Sequence, residues 1–153
     1  MKNSSRASFI LNCIFWGIIG ALAAVSLIFS PNHEPLKNHI IGYLLFGAIN
    51  VAVFYINYIV LIPELIKKRK QYLWYVVCFI LLIVASVGIK VIVVWLNPDY
   101  LAQQNTGKDN PEISMSVYVV ATIFITGFFL VASSIIKFAV DWFSNERIQR
   151  SLE

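Results

Sequence analysis

Residues 54–70 read FYINYIVLIPELIKKRK, and this stretch decides the fold. An apolar segment passes through a Pro63-Glu64 step into four consecutive cations, residues 67–70. Because lysine and arginine are retained on the cytoplasmic side of a membrane, the stretch predicts both a membrane-spanning helix and its orientation. We expect the proline to end or kink this helix as it leaves the membrane. We also expect the four cations to need no partner beyond the inner lipid headgroups.

The composition of the whole chain is that of a membrane protein. Of its 153 residues, 59% are hydrophobic and 13% are charged, whereas soluble domains are near half apolar and a quarter charged. Four apolar runs each supply the ~20 residues that a helix needs to cross ~30 Å of hydrocarbon. These runs are approximately residues 8–30, 40–62, 72–96 and 114–140. The first run is longer than the apolar region of a typical signal peptide, so we expect it to be retained.

Short connections between such runs favour antiparallel neighbours. We therefore predict an all-α integral membrane domain over residues 1–143, folded as a four-helix antiparallel bundle. Nine of the 12 lysines and arginines flank the N-terminus, the second connection or the C-terminal tail, whereas Lys37 and Lys108 lie in the first and third connections. This asymmetry predicts that both termini are cytoplasmic. The net charge of +4 then reflects topology, and we expect the lipid bilayer, not nucleic acid, as the partner.

A few polar residues interrupt the apolar runs. Asn50 and Asn57 lie seven residues apart on the second run, and Tyr43 lies seven residues before Asn50. This spacing predicts one polar seam facing the bundle, which either contacts a signal or ligand or holds helices together. Lys90 is a charge well within the third run. Its long stem can snorkel to the outer headgroups, or its ammonium can pair inside the bundle.

The sequence contains no motif for enzymatic chemistry. It has no glycine-rich phosphate loop, no H-E-x-x-H and no G-x-S-x-G. We therefore predict no catalytic, cofactor-binding or metal-binding residue in this chain. His33, His39 and Glu34 share the first connection, but three such residues are weak evidence for zinc, and we expect them to be solvated.

The fourth run does not stop cleanly. Its helical pattern continues through Lys137, Trp142 and Phe143, and the polar residues that follow include no glycine or proline. We expect residues 144–153 to be the start of a cytoplasmic signalling helix that is truncated at Glu153.

Two short pieces of this sequence resemble the membrane region of Lyt-type sensor histidine kinases, especially those common in Bacteroidetes. Residues 57–70 match an N-Y-x-x-L-I-P pattern at the end of the second span, followed by cations. Lys137 to Phe143 match a K-x-x-x-x-W-F step at the end of the fourth span. One departure is that Leu65 follows Pro63 by two positions, where the family pattern has its leucine three positions on.

The resemblance implies the membrane-embedded sensing and signal-transmitting domain of a two-component sensor histidine kinase in a bacterial inner membrane. The fourth helix would lead to a kinase core, whose phosphoacceptor histidine and ATP-binding residues have no counterpart here. The resemblance also implies a homodimer and a response regulator as partners. The alternative is a stand-alone four-span carrier or assembly factor. Candidate residues for the polar seam or for signal transmission are Asn50, Asn57, Lys90, Trp142 and Phe143.

Overall fold

The computed structural model of the protein describes residues 2–28, 40–97 and 114–150. These residues form four long helices and, within the described ranges, no strand. The helices are α1 (Lys2–Ile28), α2 (residues 40–68), α3 (Tyr72–Trp95) and α4 (Met115–Arg150). Each is long and apolar enough to cross a membrane. The prediction of an all-helical chain with four long apolar helices is therefore confirmed for the described residues.

The outward faces of the helices carry large apolar side chains. Leu73 on α3 is 78% exposed and Phe124 on α4 is 73% exposed. In water, so much exposed apolar surface would be unusual for a monomeric protein. In a bilayer the same side chains contact lipid, and the backbone is satisfied because helical hydrogen bonds lie within each segment. The outer surface therefore fits a multi-pass membrane protein.

Helix α2 is irregular at both ends. It consists of a π-helical piece (Ile40–Leu45), an α-helical piece (Phe46–Tyr55) and a second π-helical piece (Ile56–Lys68). Of the two expected effects of Pro63, an end or a kink of the helix, the end is wrong, because α2 runs through Pro63 to Lys68. In the wider π turn the hydrogen bonds reach five residues back, which relieves the clash of a proline ring with the carbonyl four residues earlier.

A short turn follows α2 directly. The Arg69 amide donates to the Glu64 carbonyl at 3.2 Å, and the Gln71 amide donates to the Leu65 carbonyl at 2.8 Å. Lys70 has a φ of 52°, in the left-handed region that non-glycine residues seldom adopt. Helix α3 then begins at Tyr72. The turn between α2 and α3 is therefore short and held by backbone hydrogen bonds.

Helix α4 packs against each of the other three helices, α1, α2 and α3. One apolar cluster of α2 and α3 side chains is centred on Ile41, Phe46 and Val94. A second is centred on Phe54, Tyr58 and Phe129, with Phe15 and Trp16 of α1 packed against it. In this aromatic cluster the rings of Phe15 and Phe54 stack with centroids 5.1 Å apart. Each such ring pair contributes about 0.5–1.5 kcal/mol beyond the apolar area that it buries.

Candidate functional site

Three sets of polar side chains connect α4 with α2 and α3. We name each after one member. The Lys90 site consists of Lys90, Asn50, Thr126 and Ser86. The Asn57 site consists of Asn57, Ser133, Ser134 and Tyr75. The Asp141 site consists of Asp141, Lys67 and Lys137.

In the Lys90 site the lysine points into the bundle. Lys90 is 2% exposed, and its Nζ donates to Asn50 Oδ1 at 2.6 Å and to Thr126 Oγ1 at 3.1 Å. Ser86 Oγ donates to the same Thr126 oxygen at 3.4 Å. The alternative in which Lys90 snorkels to the outer headgroups therefore does not hold. Lys90 points inward because it lies on the buried face of α3. The buried residues of this helix are Ser86, Val87, Lys90 and Val94, a spacing that defines one helix face.

The cation of the Lys90 site is held by neutral oxygens. Among the described carboxylates, Glu64 pairs with Lys68 and Arg69, and Asp141 pairs with Lys67 and Lys137. Glu146 lies 20 residues after Thr126 on α4, which is about 30 Å along a helix axis. Burying a charged group without a counter-charge is costly. An ionisable residue at such a position within a membrane span is a candidate functional residue.

In the Asn57 site one side-chain amide connects α2 with α4. Asn57 is 0% exposed, and its Nδ2 donates to Ser133 Oγ at 2.7 Å and to Ser134 Oγ at 2.9 Å. The Leu130 carbonyl lies 3.2 Å from the same nitrogen. The Tyr75 hydroxyl of α3 lies 3.0 Å from Ser134 Oγ, so three helices meet here. Asn57 Oδ1 is buried without a hydrogen-bond partner.

The structure divides the single polar seam that the sequence predicts. Asn50 and Asn57 both face the bundle, but each belongs to a different site. Tyr43 is 38% exposed, and its hydroxyl lies 2.8 Å from Ser26 Oγ of α1. Asn50 and Asn57 meet different partners because seven residues place them about 10 Å apart along the helix axis. Tyr43 leaves their face because it lies in the π-helical piece Ile40–Leu45, whose wider turns contain more residues, so a seven-residue step from it does not return to the same face.

The Asp141 site connects the end of α2 with α4. Lys67 Nζ lies 2.6 Å from Asp141 Oδ2, and Lys137 Nζ lies 3.5 Å from Asp141 Oδ1. The Lys137 ammonium also lies 5.1 Å from the centroid of the Tyr58 ring, within the range of a cation–π contact. The expectation that residues 67–70 need no partner beyond lipid headgroups is therefore wrong for Lys67. It is also wrong for Lys68 and Arg69, which pair with Glu64.

Trp142 and Phe143 lie outside these three sites. They are 66% and 46% exposed, and their ring centroids are 5.8 Å apart. They follow Asp141 directly in α4, which has no break before Arg150. The structure therefore brings Asn50 and Lys90 together, places Asn57 in a neighbouring site, and leaves Trp142 and Phe143 on the outer surface of α4.

Sequence reasoning missed the partners on α4. For Thr126, Ser133 and Ser134 the sequence predicts hydroxyls that bond within their own helix or to a neighbouring helix, without naming a partner. One signal could have identified two of them, because Thr126 and Ser133 are seven residues apart, the same interval as Asn50 and Asn57. Matching polar intervals on two apolar helices indicate side chains that meet across an interface.

Two sequence predictions concern residues for which the structure gives no test. His33, His39 and Glu34 lie outside the described residues, and so do residues 151–153. In the part of the chain that is described, no group of three histidine, cysteine, aspartate or glutamate side chains could hold a metal ion.

The chain matches no protein-family model, and no curated protein or solved structure is significantly similar to it. The resemblance of residues 57–70 and of Lys137 to Phe143 to Lyt-type kinases therefore stays a prediction. The structure adds the positions of these residues. Asn57 forms the contact between α2 and α4, and Lys137 belongs to the Asp141 site.

Proposed function

We propose that this chain is the membrane-embedded sensing and signal-transmitting domain of a two-component sensor histidine kinase. A change in helix packing would travel along α4 to a cytoplasmic kinase core that binds ATP. The observation that carries the proposal is the continuity of α4, which has 36 residues and contacts each of the other three helices. At 1.5 Å per residue it is about 54 Å long, whereas the hydrocarbon core of a bilayer is ~30 Å thick.

We further propose an antiparallel bundle with both termini on the cytoplasmic side. The order of contacts between α1 and α2 supports this arrangement. Ser8 lies near Tyr58, whereas Ser26 lies near Tyr43. Residue numbers therefore rise along α1 in the direction in which they fall along α2. The cations of residues 67–70 would mark the cytoplasmic face.

The contacts of α3 with α4 follow the same opposite order. Lys90 contacts Thr126, whereas Tyr75 contacts Ser134. Residue number therefore falls along α3 as it rises along α4. In this arrangement the Lys90 site lies farther from the cytoplasm, the Asn57 site follows, and the Asp141 site lies where α4 leaves the bundle.

In this proposal the Asp141 site is the two-state element. The carboxylate of Asp141 faces Lys67 of α2 and Lys137 of its own helix. A small rotation or shift of α4 would weaken the contact with Lys67 and keep the contact with Lys137. Helix shifts of one to two ångströms are a known form of switching, because packed interfaces have discrete arrangements. Residues beyond Asp141, including Trp142 and Phe143, would carry the shift onward.

The proposal predicts that output depends on the rotational phase of α4 after Phe143. Inserting one, two or three residues between Phe143 and Ser144, in the protein encoded by the whole reading frame, should change autophosphorylation in membrane vesicles. An insertion of seven residues adds nearly two helical turns, so it should restore activity toward the original level and serves as the length-matched control. Activity that ignores phase across the series would contradict transmission through α4.

A homodimer and a response regulator are the partners that this proposal implies. The competing function is a stand-alone carrier in the same membrane. The buried Lys90 favours it, because transporters place charged side chains within the bundle. The reading frame of the gene distinguishes between the two proposed functions. Codons beyond Glu153 for a histidine segment and an ATP-binding domain would support the sensor, and a stop codon at that point would support the carrier.

A further inference from the structure

The Lys90 site is rich in N–H donors. A lysine ammonium has three N–H groups, and Lys90 uses Asn50 Oδ1 and Thr126 Oγ1 as acceptors. The amide nitrogen of Asn50 adds two more N–H groups, and no hydrogen bond from this nitrogen to a described residue is present. The hydroxyl of Ser86 also lies 3.2 Å from the Ile83 carbonyl, to which it donates. An anion, which only accepts hydrogen bonds, complements the N–H groups of Lys90 and Asn50.

The charge of the Lys90 site also favours a bound anion. Lys90 is 2% exposed, and the described carboxylates Glu64 and Asp141 pair with other cations. A buried ammonium that faces neutral oxygens lacks a counter-charge, and a bound anion would supply one. Val87 and Val94 on the same face of α3 are also buried, at 8% and 1% exposure. Such close packing favours a small ligand.

We propose that the Lys90 site binds a small monovalent anion, such as a halide or a short carboxylate. Lys90 Nζ provides the positive charge, and Asn50 Nδ2 and the hydroxyl of Thr126 provide further donors. All three residues are buried, at 8% exposure for Asn50, 2% for Lys90 and 0% for Thr126. This binding stands independently of any signalling role of α4.

The first test is thermal unfolding of the full chain in lipid nanodiscs, followed by circular dichroism. Sodium chloride, bromide or acetate replaces sodium gluconate at constant ionic strength, so that general screening does not change. A ligand that binds the native state raises the unfolding temperature as its concentration exceeds its Kd. We expect such a rise for the wild type. A response to chloride and bromide indicates a halide site, and a response to acetate alone indicates a carboxylate site.

Variants connect the shift to the site. Lys90→Met removes the charge and should abolish the anion-dependent rise. Lys68→Met is the matched control, because Lys68 is an exposed cation that pairs with Glu64, and it should keep the rise. A wild-type protein that unfolds at one temperature in every anion would overturn the proposal. A Lys90→Met protein that keeps the full rise would do the same.

Asn50→Asp keeps the test decisive if Lys90→Met does not fold. This change places a carboxylate where Asn50 Oδ1 now lies, 2.6 Å from Lys90 Nζ. The chain then supplies its own counter-charge. We expect the variant to unfold at a higher temperature in gluconate than the wild type and to lose the anion-dependent rise. An Asn50→Asp protein that responds to chloride as the wild type does would contradict binding at Lys90.

Discussion

The Lys90 site and the Asp141 site place lysine in opposite surroundings. Lys90 is 2% exposed and bonds to neutral oxygens. The side chain of Lys67 is 45% exposed and contacts a carboxylate at 2.6 Å. The first cation depends on the bundle for all its polar contacts, whereas the second can exchange its partner for water or lipid headgroups. The comparison suggests a tightly held site within the bundle and an adjustable one where α4 leaves it.

The largest effect should come from removing the acceptor of Lys90. Asn50→Leu has a similar volume but leaves the ammonium with Thr126 alone. Because hydrogen bonds to charged groups contribute about 1.5–3 kcal/mol, we expect the free energy of unfolding to fall by about 2–3 kcal/mol. Equilibrium unfolding in mixed micelles would measure it. Ala48→Leu is the control, since Ala48 is exposed on the same helix. A loss below that of the control would show that Lys90 does not need Asn50.

A smaller effect should come from the Asp141 site. Asp141→Asn removes the charge that faces Lys67 and Lys137. The ion pair is only partly exposed, at 45% for the Lys67 side chain and 19% for that of Asp141, so we expect a loss of about 1 kcal/mol, at the upper end for exposed pairs, measured in the same micelles. High salt should reduce this loss in part because it screens the exposed Lys67 charge, while the loss caused by Asn50→Leu should stay nearly constant. Equal salt dependence of the two variants would remove the contrast between the sites.

The four apolar helices could be predicted because a bilayer requires a continuous apolar run whose backbone is bonded internally. The inward direction of Lys90 had one signal in the sequence, since Ser86 lies four residues before it, on the same face of an apolar helix. The continuation of α2 through Pro63 could not be predicted from the sequence, because a π turn depends on backbone geometry that composition does not encode.

The pairing of Lys67 with Asp141 was equally hard to predict. The two residues are far apart in sequence, and their distance depends on how α2 and α4 pack. In contrast, the contact of Asn57 with Ser133 has a signal in the sequence, because the interval from Asn50 to Asn57 equals the interval from Thr126 to Ser133. Long-range polar contacts are thus predictable where both helices carry the same spacing, and not where a single charged pair forms.

The most direct test of transmission along α4 is a distance between the ends of α2 and α4. Spin labels at Lys68→Cys and Asn145→Cys, with Cys13 and Cys78 replaced by alanine, would report it by pulsed electron paramagnetic resonance in nanodiscs. Both labelled positions are exposed. Thr126→Val removes an acceptor of Lys90 at the Lys90 site. The account predicts that this change shifts the distance distribution or adds a second distance. Identical distributions with and without Thr126→Val would contradict coupling between the Lys90 site and the exit of α4.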